Sequence, residues 1–227
     1  MNFSGKISVT SEGHTAVLYP AAAPSAPLII LCEEMAEGPV LESLAAIGCP
    51  DFSLLFAHVD DWNHDLSPWN CPPVFRKGEP FTGGADTYLP ILTGRLLEEA
   101  VKKGGLAPAW YGITGYSLAG LFAIYSLYQT DLFTRAASMS GSLWFPGFAD
   151  YVRTHRLKKR PDRLYFSLGD REDHTRNELM RSVRTNMEEL ASYYQSLGIP
   201  SAIEINPGNH FQKPELRIAK GIRALLV

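Results

Sequence analysis

The chain has 227 residues, 45% of them hydrophobic and 20% charged, which is an ordinary composition for a folded globular protein. Its 21 basic and 24 acidic residues leave a formal net charge of -3, so we expect no electrostatic attraction to nucleic acid or to an anionic membrane. Three cysteines without metal-ligand spacing, no run of 18 apolar residues and no secretion-signal pattern at the N-terminus predict a cytoplasmic protein.

The strands are predicted first, from their hydrophobic pattern. Residues 6–20 alternate around Glu12-Gly13 as an antiparallel hairpin does. Short continuous apolar runs then recur, which favours parallel strands that are buried on both faces and covered by helices. These runs cover residues 27–32, 52–59, 109–114, 135–140, 163–169 and 202–206.

Helical patterns lie between the strands. Residues 87–103 show a helical period, with Pro90 expected in the first turn. Residues 176–197 show another, with a capping box over 175–178 and a stop at Gly198, and a last helix is expected after Pro214. Strands that alternate with helices predict an α/β fold, and no break in composition divides residues 1–227, so we expect a single domain.

Residues 60–86 do not follow this alternation, because they contain four prolines, three glycines and two tryptophans and show no period. Long irregular connections inside a domain usually form lids or binding loops. The aromatic residues argue against disorder. We therefore expect this insertion to be a substrate loop.

The stretch "GYSLAG", residues 115–120, joins a predicted strand to a predicted helix. A sharp turn at this point would raise the hydroxyl of Ser117 above the sheet as a nucleophile, and would direct the amide of Leu118 toward the same space as an oxyanion donor. The small residues Gly115, Ala119 and Gly120 allow the close backbone approach that such a turn needs. The alternative is that the glycines only let a strand turn into a helix.

A serine nucleophile needs a base and a group that orients the base, in the chain order serine, acid, histidine. Glu172 follows the strand 163–169 and is the predicted acid, with Asp170 and Asp173 as close alternatives. These acids could instead favour the N-terminus of the next helix. His210 follows the last predicted strand on a loop and is the predicted general base.

Five motifs in this order, "GYSLAG", "SMSGSLWFP", "YFSLGDRE", "TRN" and "NPGNHF", resemble the α/β-hydrolase esterases that include enterochelin (siderophore) esterases, S-formylglutathione hydrolases and feruloyl esterases. The resemblance runs from about Leu28 to the C-terminus. It implies an α/β-hydrolase fold, with a mostly parallel central sheet, an N-terminal antiparallel hairpin and helices on both faces.

The same resemblance implies a serine hydrolase that cleaves a carboxylic ester or related acyl bond of a small molecule. Ser117 matches the nucleophile and His210 the base, whereas the acid varies within the family. The mechanism passes through an acyl-enzyme and needs no metal or organic cofactor. Thioesterase or acyltransferase chemistry on the same triad, or a hydrolase fold kept as a non-catalytic binding module, are the alternatives.

The second oxyanion donor is expected in the loop after residues 27–32, from the backbone amide of Glu33, Glu34 or Met35. Of these three amides, that of Glu34 is the predicted donor. Here the sequence departs from glycine-rich loops such as HGGG and places two acids near the oxyanion. We expect their side chains to point away from it.

Aromatic residues of the insertion and of the predicted strand ends are expected to bind an apolar or aromatic group of the substrate. The residues assigned to this role are Trp62, Trp69, Tyr116 and Trp144, with Phe75, Phe81, Phe145 and Phe211 as further candidates. A rival hypothesis is a metal enzyme, because residue types that bind zinc or manganese are clustered near the start of the insertion. They are His58, Asp60, Asp61, His64 and Asp65. Their spacing matches no common metallohydrolase pattern, so no metal site is assigned.

Overall fold

The structure is a computed structural model that describes residues 5–74 and 78–227, so Phe75 lies outside the described residues. Within this range the strands form one eight-stranded sheet and a separate two-stranded ribbon. The strands are β1 Ile7–Ser11, β2 His14–Tyr19, β3 Leu28–Glu33, β4 Ser53–His58, β5 Asn70–Cys71, β6 Phe81–Thr82, β7 Tyr111–Tyr116, β8 Phe133–Met139, β9 Arg163–Gly169 and β10 Ser201–Asn206.

The helices connect these strands and flank the insertion. They are α1 Glu37–Ile47, α2 Trp62–Asp65, α3 Ala85–Ile91, α4 Leu97–Gly104, α5 Leu118–Ser126, α6 Phe148–Thr154, α7 Glu178–Arg181, α8 Val183–Ser196 and α9 Pro214–Leu226. A π-helical segment, Leu92–Leu96, joins α3 to α4. Among the described helices, none has the length and apolar character needed to span a bilayer.

The sheet has the order β1-β2-β4-β3-β7-β8-β9-β10. The hairpin pairs β1 with β2 and β2 with β4 in antiparallel fashion, and the remaining neighbours are parallel. Glu12 and Gly13 form the hairpin turn with φ of 53° and 86°, the left-handed conformation that suits the twist of two tightly connected strands. The predicted sheet, its hairpin and its helices are confirmed.

Strand β3 shows why the apolar runs are continuous. Leu28, Ile30 and Cys32 belong to the core on one face of the sheet, and Ile29 and Leu31 belong to the core on the other. Each of these side chains is 0% exposed. Because α5 and α8 cover one face while α1 and α9 cover the other, both sets of alternating side chains must be apolar.

The last strand differs from this expectation. Ile203 and Ile205 of β10 remain 39% and 37% exposed, so the prediction of a strand buried on both faces is wrong here. The reason is position, since β10 is the edge strand of the sheet and pairs with β9 alone.

Two helix predictions also need correction. The helix predicted at 87–103 begins at Ala85, so Pro90 lies beyond the first turn, and the helix is kinked at Gly94, whose ψ is -106°. The cap predicted over 175–178 is supplied by Asn177, whose Oδ1 accepts the amides of Leu179 and Met180 at 3.1 and 3.3 Å. This cap starts α7, a separate short helix before α8.

The turn between β7 and α5 is possible only with small residues. A Cβ on Gly115 would lie 2.4 Å from the carbonyl carbon of Ala119, and a Cβ on Gly120 would lie 2.9 Å from Oγ of Ser138. The first contact is with backbone, which cannot rotate away. Strand and helix therefore touch here, and this contact sets the angle at which α5 leaves the sheet.

We expect Gly115→Ala to destabilise the fold by about 2 kcal/mol or more, because overpacking against backbone forces the strand and helix apart. Gly38→Ala is the matched control, since Gly38 is exposed in α1 and an added Cβ would meet no atom within 4 Å. Urea unfolding of both variants measures the difference. Equal stability of the two variants would contradict the close approach.

Candidate active site

Ser117 lies at the sharp turn between β7 and α5 with φ 55° and ψ -121°, a conformation that a residue with a side chain adopts only under constraint. Its amide donates to the carbonyl of Met139 at 3.1 Å, which ties the turn to the neighbouring strand β8. The side chain is left partly exposed above the carboxyl edge of the sheet. The local geometry is that of a nucleophile elbow.

His210 lies on the loop after β10 and reaches Ser117 from the far side of β8 and β9. Its Nε2 is 3.1 Å from Oγ of Ser117, within hydrogen-bond reach. The His210 side chain is 31% exposed, and its ring contacts Tyr116 and Phe211. The structure thus brings together two side chains that are 93 residues apart in the chain.

Glu172, in the turn after β9, is the third residue of this hydrogen-bonded row, after Ser117 and His210. Its Oε2 lies 2.7 Å from Nδ1 of His210, and its side chain is only 4% exposed. Burial alone would raise the pKa of Glu172, but the hydrogen bond and charge of His210, with donors from Ser140 and Gly169, lower it below the ordinary value. The carboxyl is therefore charged at neutral pH.

The alternative acids have other contacts. Oδ1 of Asp170 accepts the amide of Gly208 at 2.8 Å, while the side chain is half exposed. Asp173 lies 3.9 Å from Arg184 and 3.7 Å from His174. Of the three candidate acids, Glu172 is the one that contacts the imidazole.

Sequence reasoning missed Arg217 and Ser140, which both donate hydrogen bonds to Glu172. Arg217 comes from α9 and donates to Oε1 of Glu172 at 2.7 Å, and the Ser140 hydroxyl donates to the same oxygen at 2.7 Å. One signal for Arg217 was present in the sequence. It lies on the same stripe of α9 as the buried Gly221 and Leu225, where an apolar residue would be expected.

The predicted oxyanion donors differ in their surroundings. Leu118 is the first residue of α5 and lines the cavity beside Ser117. The amide of Glu34, in contrast, donates to Oε1 of Glu33 at 2.9 Å, so it is already engaged. Glu33 is 4% exposed, and neither Glu33 nor Glu34 lines the cavity in the described structure, so the expectation that both acidic side chains point away from the oxyanion stays a prediction.

This position of Glu33 has an electrostatic cost. Burial raises the pKa of the Glu33 carboxyl to about 7, although the amides of Glu34 and Met35 partly counteract the effect. Its second oxygen, Oε2, has no hydrogen-bond partner among the described residues. A carboxyl in such surroundings takes up a proton at a much higher pH than an exposed one.

A cavity of about 530 Å³ opens above Ser117 and His210. The insertion forms one wall, with Trp62 and Phe81, and Trp144 follows β8 on another. Phe211, which is 85% exposed, stands at the mouth. The volume is in the range of sites that bind drug-sized small molecules.

Two residues predicted to contact substrate do not line this cavity in the described structure. Trp69 packs against Phe145 and Tyr151 and donates from Nε1 to the carbonyl of Pro146 at 3.0 Å, which anchors the insertion to the loop after β8. Tyr116 is 6% exposed and donates to the carbonyl of His210 at 2.6 Å. Both are therefore corrected to roles in supporting the site. The further candidate Phe145 is 2% exposed and does not line the cavity either.

The residues of the rival metal hypothesis are dispersed into separate contacts. His58 pairs with Glu37 at 3.1 Å, His64 lies 2.7 Å from the Thr82 hydroxyl, and Asp61 caps α2. Among the described residues, no group of three or more histidine, cysteine or acidic side chains is placed to hold a metal ion.

Comparisons with known proteins give the family and the fold of the chain. A family model described as "Putative esterase" matches residues 34–213. The siderophore hydrolase EstA of Aspergillus nidulans superposes with a TM-score of 0.75 at 18% identity, over 96% of this chain and 91% of that one. An IroE-like serine hydrolase of Shewanella oneidensis superposes with a TM-score of 0.76 at 17% identity, over 96% and 78%. These likenesses confirm the α/β-hydrolase fold.

The Bacillus subtilis protein YbbA, described as uncharacterized, is 22% identical over 151 residues. The match covers 65% of this chain and spans 59% of the length of that relative.

We expect the buried Glu33 to make the protein less stable as the pH rises. An acid with a higher pKa in the folded chain than in the unfolded chain binds an extra proton in the folded state between the two values, here from 4.5 to about 7. Stability falls as the pH rises through this window. The free energy of unfolding of Glu33→Gln minus that of the parent should therefore rise by about 2 kcal/mol when the pH is raised from 5 to 8.

Urea unfolding at the two pH values measures this change. Glu42→Gln in α1, where the side chain is exposed, is the control and should follow the parent at both pH values. A Glu33→Gln variant with the parent's pH dependence would show that the carboxyl is not held in this state.

Proposed function

Because the chain belongs to the esterase family whose model matches residues 34–213, we propose that it hydrolyses carboxylic esters through a Ser117-His210-Glu172 triad and an acyl-enzyme. The observation that carries the proposal is the continuous hydrogen-bond row. Oγ of Ser117 lies 3.1 Å from Nε2 of His210, and Nδ1 of the same ring lies 2.7 Å from Oε2 of Glu172.

In this mechanism Glu172 fixes the tautomer of the imidazole. A charged carboxylate can only accept, so Nδ1 of His210 carries the proton and Nε2 presents its lone pair to the Ser117 hydroxyl. His210 removes the hydroxyl proton as Oγ attacks the ester carbonyl, and then returns that proton to the departing alcohol. Water activated by the same nitrogen hydrolyses the acyl-enzyme.

The oxyanion of the tetrahedral intermediate is stabilised by the amide of Leu118 at the N-terminus of α5. The second donor is the amide of Glu34, which exchanges its bond to Glu33 for one to the oxyanion. Protonation of Glu33 makes this exchange easier, because a neutral carboxyl is a weaker acceptor than a carboxylate.

The cavity favours an ester with an apolar or aromatic group. Trp62, Phe81 and Trp144 supply rings along its walls, and its volume of about 530 Å³ exceeds what a short aliphatic ester would fill.

We expect Ser117→Ala or His210→Ala to lower kcat by about four to six orders of magnitude while the fold remains intact, because both belong to one catalytic unit. Hydrolysis of a chromogenic aryl ester measures the loss, and circular dichroism checks the fold. A fluorophosphonate probe should label the parent protein and leave Ser117→Ala unlabelled. Labelling of that variant would refute the nucleophile, and an unlabelled, inactive parent would favour a binding module.

The assignment of the acid is tested by an isosteric pair. Glu172→Gln should lower kcat by about 10²- to 10⁴-fold, because an amide cannot hold the same tautomer as a carboxylate. Asp170→Asn is the matched control and should stay within about threefold of the parent, since its Oδ1 still accepts the Gly208 amide. A severe loss in Asp170→Asn with none in Glu172→Gln would exchange the two roles.

The substrate wall is tested by two tryptophans that are both partly buried. Trp144→Ala should raise KM for bulky aryl esters by about tenfold and leave short acetyl esters nearly unchanged, because it removes one apolar side of the cavity. Trp69→Ala should instead lower thermal stability with little discrimination between the esters, since Trp69 packs within the protein. The opposite pattern would restore Trp69 as a substrate residue.

A further inference from the structure

We propose that Arg217 is a positioning residue of this site, which holds Glu172 in one orientation and fixes the loop that carries His210. The inference rests on the proposed function, since it concerns the alignment of the same triad. It goes beyond that function in assigning the alignment to a side chain from α9, an element that contributes no member of the triad.

Arg217 is 2% exposed, so its charge is removed from water and must be matched by the protein. Its guanidinium bridges the acid and the histidine loop. Nη1 donates to Oε1 of Glu172 at 2.7 Å, to Oγ of Ser140 at 3.0 Å and to the Tyr116 hydroxyl at 3.2 Å, and Nη2 donates to the carbonyls of Pro207 at 3.2 Å and Asn209 at 2.9 Å.

The two oxygens of Glu172 are thereby given different tasks. Oε1 accepts from Arg217, from the Ser140 hydroxyl at 2.7 Å and from the Gly169 amide at 2.6 Å. Oε2 faces Nδ1 of His210. Rotation of the carboxylate would break the bonds at Oε1, so these donors keep Oε2 directed at the imidazole.

The second half of the guanidinium acts on the loop. Pro207 and Asn209 lie just before His210, and their carbonyls accept from the same nitrogen. The packing around them leaves little room for movement, because a Cβ on Gly169 would lie 2.3 Å from the Gly208 carbonyl oxygen and 2.8 Å from Nη2 of Arg217. Arg217 therefore connects the end of β9 to the end of β10, the two points from which the acid and base arise.

Charge gives Arg217 a second effect. The negative charge of Glu172 is balanced by the guanidinium at all times and by His210 only while the imidazole is protonated. Among the described residues, Tyr116 and Tyr165 are further titratable groups near Arg217. Burial raises the pKa of Tyr116 to about 12 and also raises that of Tyr165, so both stay neutral. When His210 is neutral and ready to act as a base, Arg217 is the cation that keeps the buried carboxyl ionised.

The test compares Arg217→Met and Arg217→Lys with the parent protein. All rates are expressed per active site titrated with a fluorophosphonate, so that a smaller folded fraction does not count as a slower enzyme. Arg217→Met should lower kcat about 10²-fold with KM little changed, because a small displacement of the catalytic groups is enough for a loss of that size. The pH below which kcat/KM of Arg217→Met falls, its acidic limb, should be higher than in the parent by about one unit, because the guanidinium no longer keeps the carboxyl ionised.

Arg217→Lys should keep the acidic limb of the parent and recover part of kcat, since it retains the charge and loses the second donor. This variant carries the test if Arg217→Met fails to fold. Lys220→Met, one turn further along α9, is the matched control because Lys220 pairs with Glu204 and Asn206 away from the triad. It should stay within about twofold of the parent.

A purely structural role predicts a different result. Thermal stability would fall, but kcat per titrated site and the pH profile of both Arg217 variants would match the parent, and this outcome would overturn the proposal. The double variant Glu172→Gln with Arg217→Met provides a second criterion. If Arg217 acts in part through Glu172, the loss of kcat in the double variant is smaller than the product of the two single losses, whereas a loss equal to that product contradicts the proposal.

A measurement without substrate separates this proposal from the proposed function. The Nδ1 proton of His210, bonded to Glu172, should give a low-field NMR resonance that is absent in His210→Ala. In Arg217→Met this resonance should shift upfield or broaden, and an unchanged resonance would overturn the positioning role. An inactive parent that still shows the resonance and its response to Arg217→Met would refute only the esterase proposal.

Discussion

The candidate active site depends on the register of the parallel strands, because those that carry its groups end side by side at one edge of the sheet. Tyr116 of β7 pairs with Met139 of β8, and Gly169 of β9 pairs with Asn206 of β10. Ser117, Glu172 and His210 lie within a few residues of the ends of β7, β9 and β10, and they contact one another at this edge. A slip of one residue in any pair would turn its side chains to the opposite face. The sheet therefore determines the distances, and the loops only complete them.

The same edge concentrates backbone strain. Three non-glycine residues there have a positive φ, Ser117 at 55°, Ser140 at 47° and Lys213 at 53°. Each such residue costs about 1–3 kcal/mol, and such conformations persist where surrounding contacts determine them fully. The backbone amides of Ser117 and Ser140 donate hydrogen bonds to the carbonyls of Met139 and Ser167, which hold the two turns. The cores on both faces of the sheet supply the rigidity that keeps these turns in place.

The fold and the residues of the candidate triad were largely readable from the sequence, whereas the supporting contacts were not. Runs such as 27–32 reveal buried strands because both faces of the sheet are covered, and Ser117 stands out by its strand-turn-helix context. Trp69 is not distinguishable from a substrate-binding ring by local pattern, since only its tertiary neighbours show that it packs inward. The bond from the Glu34 amide to the side chain of Glu33 was likewise not visible in the sequence, because nothing in the local pattern shows how that side chain folds. Arg217 contacts the acid across 45 residues of chain.

The position of helix α9 in the chain also affects folding during synthesis. Its residues Ile218 and Ile222 cover the same face of the sheet as α1, over Ile29, Leu31 and Phe56. During synthesis those early strands leave the ribosome long before α9 is made. The part of that face that α1 does not cover thus stays exposed until late, which leaves it open to chaperones and to aggregation. Arg217 is carried by the same helix, so the packing of α9 on the sheet also brings the guanidinium to Glu172.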